Sequence, residues 1–268
     1  MSDPDPEGSA DGRLTLRRAE VATLTLNAPA TRNAMTRTMW EALPVICDSI
    51  SAEPGIRVLI VTGAGDTFCA GADISEFAAV YATPESAAAY NAAVRAGQAA
   101  LRAVVQPVIA LIRGACVGGG CGIALACDLR FAGQSAVFAI TPARLGIAYS
   151  PADTAQLIEK VGPARAKDIL FSARKIDGAE ALSIGLIDRL CPDHALAQSV
   201  SDYARMLTQV SPASLRVTKA TVNALSPIPG AAATNLDTVD REIAALFSGP
   251  DFAEGRAAFM ARRKPVWP

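Results

Sequence analysis

Two runs of small residues carry most of the chemistry this chain can offer. The first is Thr67 to Phe77, Thr-Phe-Cys-Ala-Gly-Ala-Asp-Ile-Ser-Glu-Phe. The second is Gly114 to Asp128, Gly-Ala-Cys-Val-Gly-Gly-Gly-Cys-Gly-Ile-Ala-Leu-Ala-Cys-Asp. Each follows a β-branched apolar run, Arg57 to Thr62 and Val108 to Ile112, of the kind that forms a buried strand. The chain thus passes twice from strand to small-residue loop to helix. Such loops leave backbone N–H groups unpaired and unobstructed. Two of them aimed at one point stabilise an oxygen that gains negative charge.

Other chemistries have little to work with. A single histidine, His194 in Cys-Pro-Asp-His-Ala, offers few members for a zinc site or a Ser-His-Asp triad. It reads as a surface turn residue near a helix N-terminus, and no metal site is expected. Cysteines 47, 69, 116, 121, 127 and 191 contain no C-x-x-C pair and read as buried, reduced thiols of a cytoplasmic protein. The 25 basic and 26 acidic residues nearly cancel, which argues against nucleic-acid or anionic-membrane binding by bulk charge. The longest apolar run, Ala115 to Cys127, is interrupted by glycines and is too short for a bilayer span. Gly63-Ala-Gly65 after a strand opens like a dinucleotide-binding turn. Phe68 stands at the third glycine position and no helix begins directly after, so that reading is set aside.

The elements that must position the two loops follow from pattern. Residues 1–12, acidic and Pro-rich at their start, read as a disordered tail. Arg13 to Arg17 and Val21 to Asn27 form a hairpin. A turn-rich loop from Asn27 to Met35 carries the cation Arg32. Thr36 caps a helix to about Ala52 with Met39, Leu43, Ile46 and Ile50 on one face. Thr83-Pro84-Glu85 starts an Ala-rich helix to about Val104. Short strands are expected at 128–132 and 136–140, then a loop from Thr141 to Pro151. Helices follow at 153–160 and from Gly162-Pro163 to about Phe171, then a short one after Asp177 that is capped by Gly185. A last strand spans Ile187 to Leu190, with helices at 195–209, 212–224, 231–247 and 251–262. The pattern is an α/β core over 13–194 with a helical region over 195–268.

Cys69-Ala-Gly-Ala-Asp-Ile74, Gly114-Ala-Cys-Val-Gly-Gly-Gly-Cys121, Cys127-Asp-Leu-Arg-Phe-Ala132, Ala181-Leu-Ser-Ile-Gly-Leu-Ile-Asp188 and Ala258-Phe-Met-Ala-Arg-Arg-Lys-Pro265 together resemble the enoyl-CoA hydratase/isomerase (crotonase) family. The resemblance runs from about Arg13 to Pro265. It implies a spiral of ββα units with a helical C-terminal trimerisation region, and a homotrimer or dimer of trimers. It also implies an acyl-CoA substrate, no cofactor beyond its CoA moiety, and an oxyanion hole of two backbone N–H groups at Ala72 and Gly119. By the same resemblance Ala70, Asp73, Ile74 and Ser75 supply backbone donors to CoA, with Gly120 beside the hole. Arg32 faces the CoA phosphates, and Phe259 and Lys264 reach a neighbouring subunit's CoA.

The departures bear on the reaction. Hydratases of the family use two glutamates, which fall here on Gly122 and on Pro142 (or Ala143 under a one-residue shift). Neither residue type exchanges protons, and general acid–base catalysis is worth about 10²–10⁴-fold. Decarboxylases of malonyl-type thioesters need no such base, and Thr141 to Tyr149 resembles that subgroup. On that reading the amides of Ala72 and Gly119 hold the enolate oxygen, and the Tyr149 hydroxyl holds the substrate carboxylate. The sequence therefore favours decarboxylation of a short 2-carboxyacyl-CoA. Two alternatives stay open: a hydratase or isomerase whose acid/base is Tyr149, Ser150 or Asp153, and a CoA-thioester-binding protein without catalysis. Asp153 reads first as a helix cap, and Asp128, two residues before Arg130, as structural.

Overall fold

The computed structural model describes residues 7–9, 11–226 and 235–268. β2 (Leu14–Arg17) and β3 (Val21–Leu26) form the expected antiparallel hairpin, with Leu14, Leu16, Leu24 and Leu26 buried. β1 (Glu7–Gly8) adds to its edge opposite Leu16 and Thr15. Pairing therefore begins at Glu7, inside the stretch expected to be a disordered tail; residues 1–6 lie outside the described ones. From β3 the sheet continues in parallel through β4 (Val58–Gly63), β5 (Val108–Ile112), β7 (Leu129–Gly133) and β10 (Arg189–Cys191).

Both faces of this sheet are covered, which is why β4 and β5 read as unbroken apolar runs. Leu59 and Val61 of β4 join the main core with α1 (Arg37–Ser51), α3 (Pro84–Ala103) and α4 (Gly119–Ala126). Val58 and Ile60 point the other way, onto Leu196, Val200 and Ala204 of α7 (Asp193–Thr208). The expected caps are present. Thr36 Oγ1 accepts from the Met39 N–H, and Thr83 and Ser86 form a reciprocal capping box. α5 (Pro151–Ser172) bends at Gly162, where the sequence places a break between two helices.

A second sheet joins β6 (Ala115–Val117) in parallel to β8 (Val137–Ala139), and β8 to β9 (Lys175–Asp177). β6, β9 and the short helix α2 (Phe77–Val80) are not foreseen by the sequence pattern. α6 (Gly178–Ser183) leads to β10. The C-terminal region comprises α8 (Pro212–Leu225), α9 (Leu236–Leu246) and α10 (Pro250–Ala261); the expected helix start at 231 lies outside the described residues. Lys219 of α8 reaches the Asp128 carboxylate at 2.7 Å, and the same oxygen accepts the Val108 N–H at 2.7 Å, the structural role expected of Asp128. Among the described residues no helix is long and apolar enough to cross a membrane.

Candidate active site

The two small-residue loops meet at the C-terminal ends of β4 and β5. Each turns through a glycine in the positive-φ region just before the amide of interest. Gly71 (φ 105°) precedes Ala72, and Gly118 (φ 52°) precedes Gly119. A side chain is strained in either conformation. The loops are in contact: a Cβ placed on Gly71 would lie 3.7 Å from Gly119 N, and one placed on Gly119 would lie 3.9 Å from Ala72 N. Among the described residues neither the Ala72 nor the Gly119 N–H has an acceptor. Gly119 also opens α4, so the helix end adds partial positive charge there.

Backbone ladders fix the pair. Met35 N–H donates to Gly71 O at 2.7 Å and Asp73 N–H to Met35 O at 2.9 Å, while Cys69 N–H donates to Ala115 O and Val117 N–H to Cys69 O, both at 2.9 Å. β6, hidden from sequence inside a glycine-rich loop, is thus the strand that clamps one loop to the other. Asn33 is a further positioning residue that the sequence reading missed. It is fully buried at φ 56°. Its Nδ2 donates to Ala64 O (2.9 Å) and Thr67 O (2.6 Å), and its Oδ1 accepts the Ala28 N–H (3.0 Å). An Asn in a turn-rich loop was the available signal, but its partners are far away in sequence.

The expected CoA-facing donors narrow. The Ala70 N–H is taken by Arg32 O (2.9 Å) and the Asp73 N–H by Met35 O. The Ser75 N–H and Oγ both bind Asp73 Oδ1, at 3.0 and 2.7 Å. Along this run only Ala72 and Ile74 keep an unpartnered N–H, and the Ile74 side chain is exposed. Gly120 packs under the first loop, its missing side chain leaving room for Cys69 O. The Arg32 side chain is exposed beside the first loop. Phe259 and Lys264, exposed on and just after α10, have no hydrogen bond or ion pair to the loops.

Tyr149 reaches the second loop. Its hydroxyl donates to Gly118 O at 3.3 Å, the carbonyl of the very peptide whose N–H is Gly119. The bond polarises that peptide toward a stronger donor and leaves the hydroxyl engaged. Burial, then the neighbouring Asp153, pushes the phenol well above its ordinary range, so it stays protonated.

Gly122 lies one turn into α4. A Cβ there would come within 2.2 Å of Gln98 Nε2 and 3.1 Å of Asp153 Oδ1. The space beside the missing glutamate is therefore filled by an amide from α3 and a carboxyl from α5. Asp153 does take part in the cap of α5: its N–H donates to Ser150 Oγ (3.0 Å), and Ser150 Oγ donates to its Oδ2 (2.6 Å). It is nonetheless 5% exposed, and Oδ1 makes no full hydrogen bond. Burial raises its pKa, and the approaches of Ser150, Gln98 and Arg95 offset that only in part. Pro142 opens a 3-10 turn, Pro142–Leu145, and offers no acid.

All six cysteines are buried and unbridged. Burial pushes Cys69, near the start of the first loop, up to about 12, which keeps it as the thiol at neutral pH. His194 is exposed at the start of α7. A cavity of about 960 Å³ lies between the end of α3 and α8–α9, lined by Arg102, Arg216 and Lys219 among others, and includes neither loop.

The sequence profile of the enoyl-CoA hydratase/isomerase family matches residues 17–268. The chain belongs to this family. An enoyl-CoA hydratase/isomerase family protein from Hyphomonas neptunium superposes with a TM-score of 0.90 at 36% identity, over 97% of this chain and 99% of that one. The "Probable enoyl-CoA hydratase echA8" of Mycobacterium bovis is 31% identical, over 94% of this chain and 96% of that one. A peroxisomal Delta(3,5)-Delta(2,4)-dienoyl-CoA isomerase of Arabidopsis thaliana is 30% identical over 90% of each chain. The crotonase-like fold expected from the sequence is the fold observed, and enzymes of the family act on acyl-CoA thioesters.

Proposed function

We propose that this chain transforms an acyl-CoA thioester through an enolate whose oxygen is held by the Ala72 and Gly119 N–H groups. The observation that carries the reading is the close approach of two loops that each present an unpartnered amide, at Ala72 and at Gly119. One such donor is worth about 10²–10³ in rate. Among reactions that share the enolate, we adopt proton transfer on an enoyl-CoA, as hydration or double-bond isomerisation. The names of the similar proteins support that class, and so does a buried carboxyl beside Gly122. Arg32, Asp73, Ile74, Ser75 and Gly120 border the CoA path in this proposal. Phe259 and Lys264 complete it across subunits of a homotrimer or dimer of trimers.

Decarboxylation of a short 2-carboxyacyl-CoA is the second reading. It is favoured by the absence of a carboxylate side chain at positions 122 and 142, and by the Gln98 amide, a donor suited to a substrate carboxylate. It requires the Tyr149 hydroxyl to leave Gly118 O, or Gln98 to take its place. Incubation with but-3-enoyl-CoA, crotonyl-CoA and methylmalonyl-CoA separates the two. Turnover of either of the first pair is expected. Carbon dioxide release from the third alone replaces the first reading by the second, and turnover of none removes both.

A further inference from the structure

We propose that Asp153 is the catalytic carboxyl that exchanges the substrate proton and that Gln98 positions it, the pair standing in for the glutamate absent at Gly122. The proposal rests on the enolate reading above and deepens it. Three observations carry it. First, α5 returns its third residue to the first turn of α4, so that Asp153 Oδ1 and Gln98 Nε2 flank the spot where a side chain at 122 would begin. Second, Oδ1 is buried and makes no full hydrogen bond, with the Gln98 amide approaching it. A carboxylate oxygen kept in that condition is costly, and a helix cap needs only Oδ2, which Ser150 already occupies. Third, Gly122 lies in the first turn of α4, which Gly119 opens, so the carboxyl beside position 122 is within one helical turn of the oxyanion amide along that helix.

The step balances with one group. Asp153 carboxylate takes a proton from C2 of a 3-enoyl thioester; that C–H bond breaks, and its electron pair moves into the thioester as a dienolate held by Ala72 and Gly119. The same carboxyl then returns the proton to C4, leaving the 2-enoyl thioester. No co-reactant is needed. A single base suits isomerisation better than hydration, which needs a water activated as well as a proton delivered.

The groups facing the carboxyl are Arg95 and Gln98 from α3 and Ser150 and Tyr149 from the segment before α5, while Cys121 of α4 faces Tyr149. Arg95, Gln98 and Ser150 favour the ionised form, and burial opposes it. The basic form is the active one at the first step. The acid limb of kcat/KM therefore lies above the ordinary aspartate range, and removing the Gln98 amide moves it further up.

The test uses the full chain. Isomerisation of but-3-enoyl-CoA, hydration of crotonyl-CoA, and exchange of the C2 hydrogens of butyryl-CoA in deuterated water are followed for wild type, Asp153→Asn and Gln98→Leu. Butyryl-CoA affinity is measured alongside. Asp153→Asn is expected to lose about 10²–10⁴-fold in every proton transfer that wild type performs while binding butyryl-CoA as tightly. Gln98→Leu is expected to shift the acid limb to higher pH. Undiminished rates in Asp153→Asn, rates that fall only together with affinity, or an unmoved limb in Gln98→Leu would overturn the assignment. So would a wild type that transfers no proton in any of the three assays; if it still releases carbon dioxide from methylmalonyl-CoA, the two-amide enolate survives and Asp153 alone is displaced.

Discussion

Asp153 carries a cost that its capping role does not explain. Its carboxyl has a raised pKa because it is buried, so ionisation weakens the fold. The sign follows from linkage: a group whose folded pKa exceeds its unfolded value destabilises above the folded pKa, and that penalty disappears as pH falls below the unfolded one. Asp153→Asn keeps an acceptor for Ser150 and removes the charge. It should therefore melt higher than wild type at pH 7, with the gap closing as the pH approaches the ordinary aspartate value. Calorimetry at both pH values checks this; a lower melting temperature at pH 7 would mean the residue is chiefly a cap. Gly118→Ala tests the other half of the site. The residue sits at φ 52°, ψ −112°, strained for any side chain, and the Tyr149 bond hangs on its carbonyl. We expect about a 10²-fold loss of kcat, as for one misaligned oxyanion donor, with much less effect on CoA-thioester affinity. At this scale the sequence was partly legible. The two glycine-turned loops that carry positions 72 and 119 stood out as motifs, and the gaps at 122 and 142 were plain. That Asp153 and Gln98 converge on 122 could not be read, because their meeting depends on how α3 and α5 pack on α4.

Among elements, the long periodic ones were visible and the short clamping ones were not. α1, α3 and β5 are specified by spacing and caps within the segment itself. β6 and β9 are three residues each and exist through pairing with β8, which no local pattern announces. The N-terminal edge strand β1 is likewise made by β2 rather than by its own sequence. Asn33 links two loops in the same nonlocal way. Asn33→Ala would leave the partly buried Ala64 O, Thr67 O and Ala28 N–H without this partner, and a group left unsatisfied out of reach of water costs about 1–3 kcal/mol. A stability loss of about 3 kcal/mol or more by denaturant titration is expected, with kcat falling as the first loop loosens. A loss within about 0.5 kcal/mol would show that the loop is held by its backbone ladders alone.

For the whole molecule, the α/β core and the helical C-terminal region were both readable from the order of elements, and the helical region leaves large apolar side chains exposed. Phe247, Phe252, Phe259 and Met260 are exposed on or beside α9 and α10, an apolar surface of the kind that marks association. Light scattering of the full chain is expected to give three or six copies, and Phe259→Asp with Met260→Asp to shift it toward monomer; a monomeric wild type would contradict the assembly. The central claim, however, is that two amides hold one oxygen. It is tested most directly by a crystal structure with an acyl-CoA thioester bound. The thioester oxygen should lie within about 3.1 Å of both Ala72 N and Gly119 N; an oxygen that meets only one of them, or neither, would contradict the account.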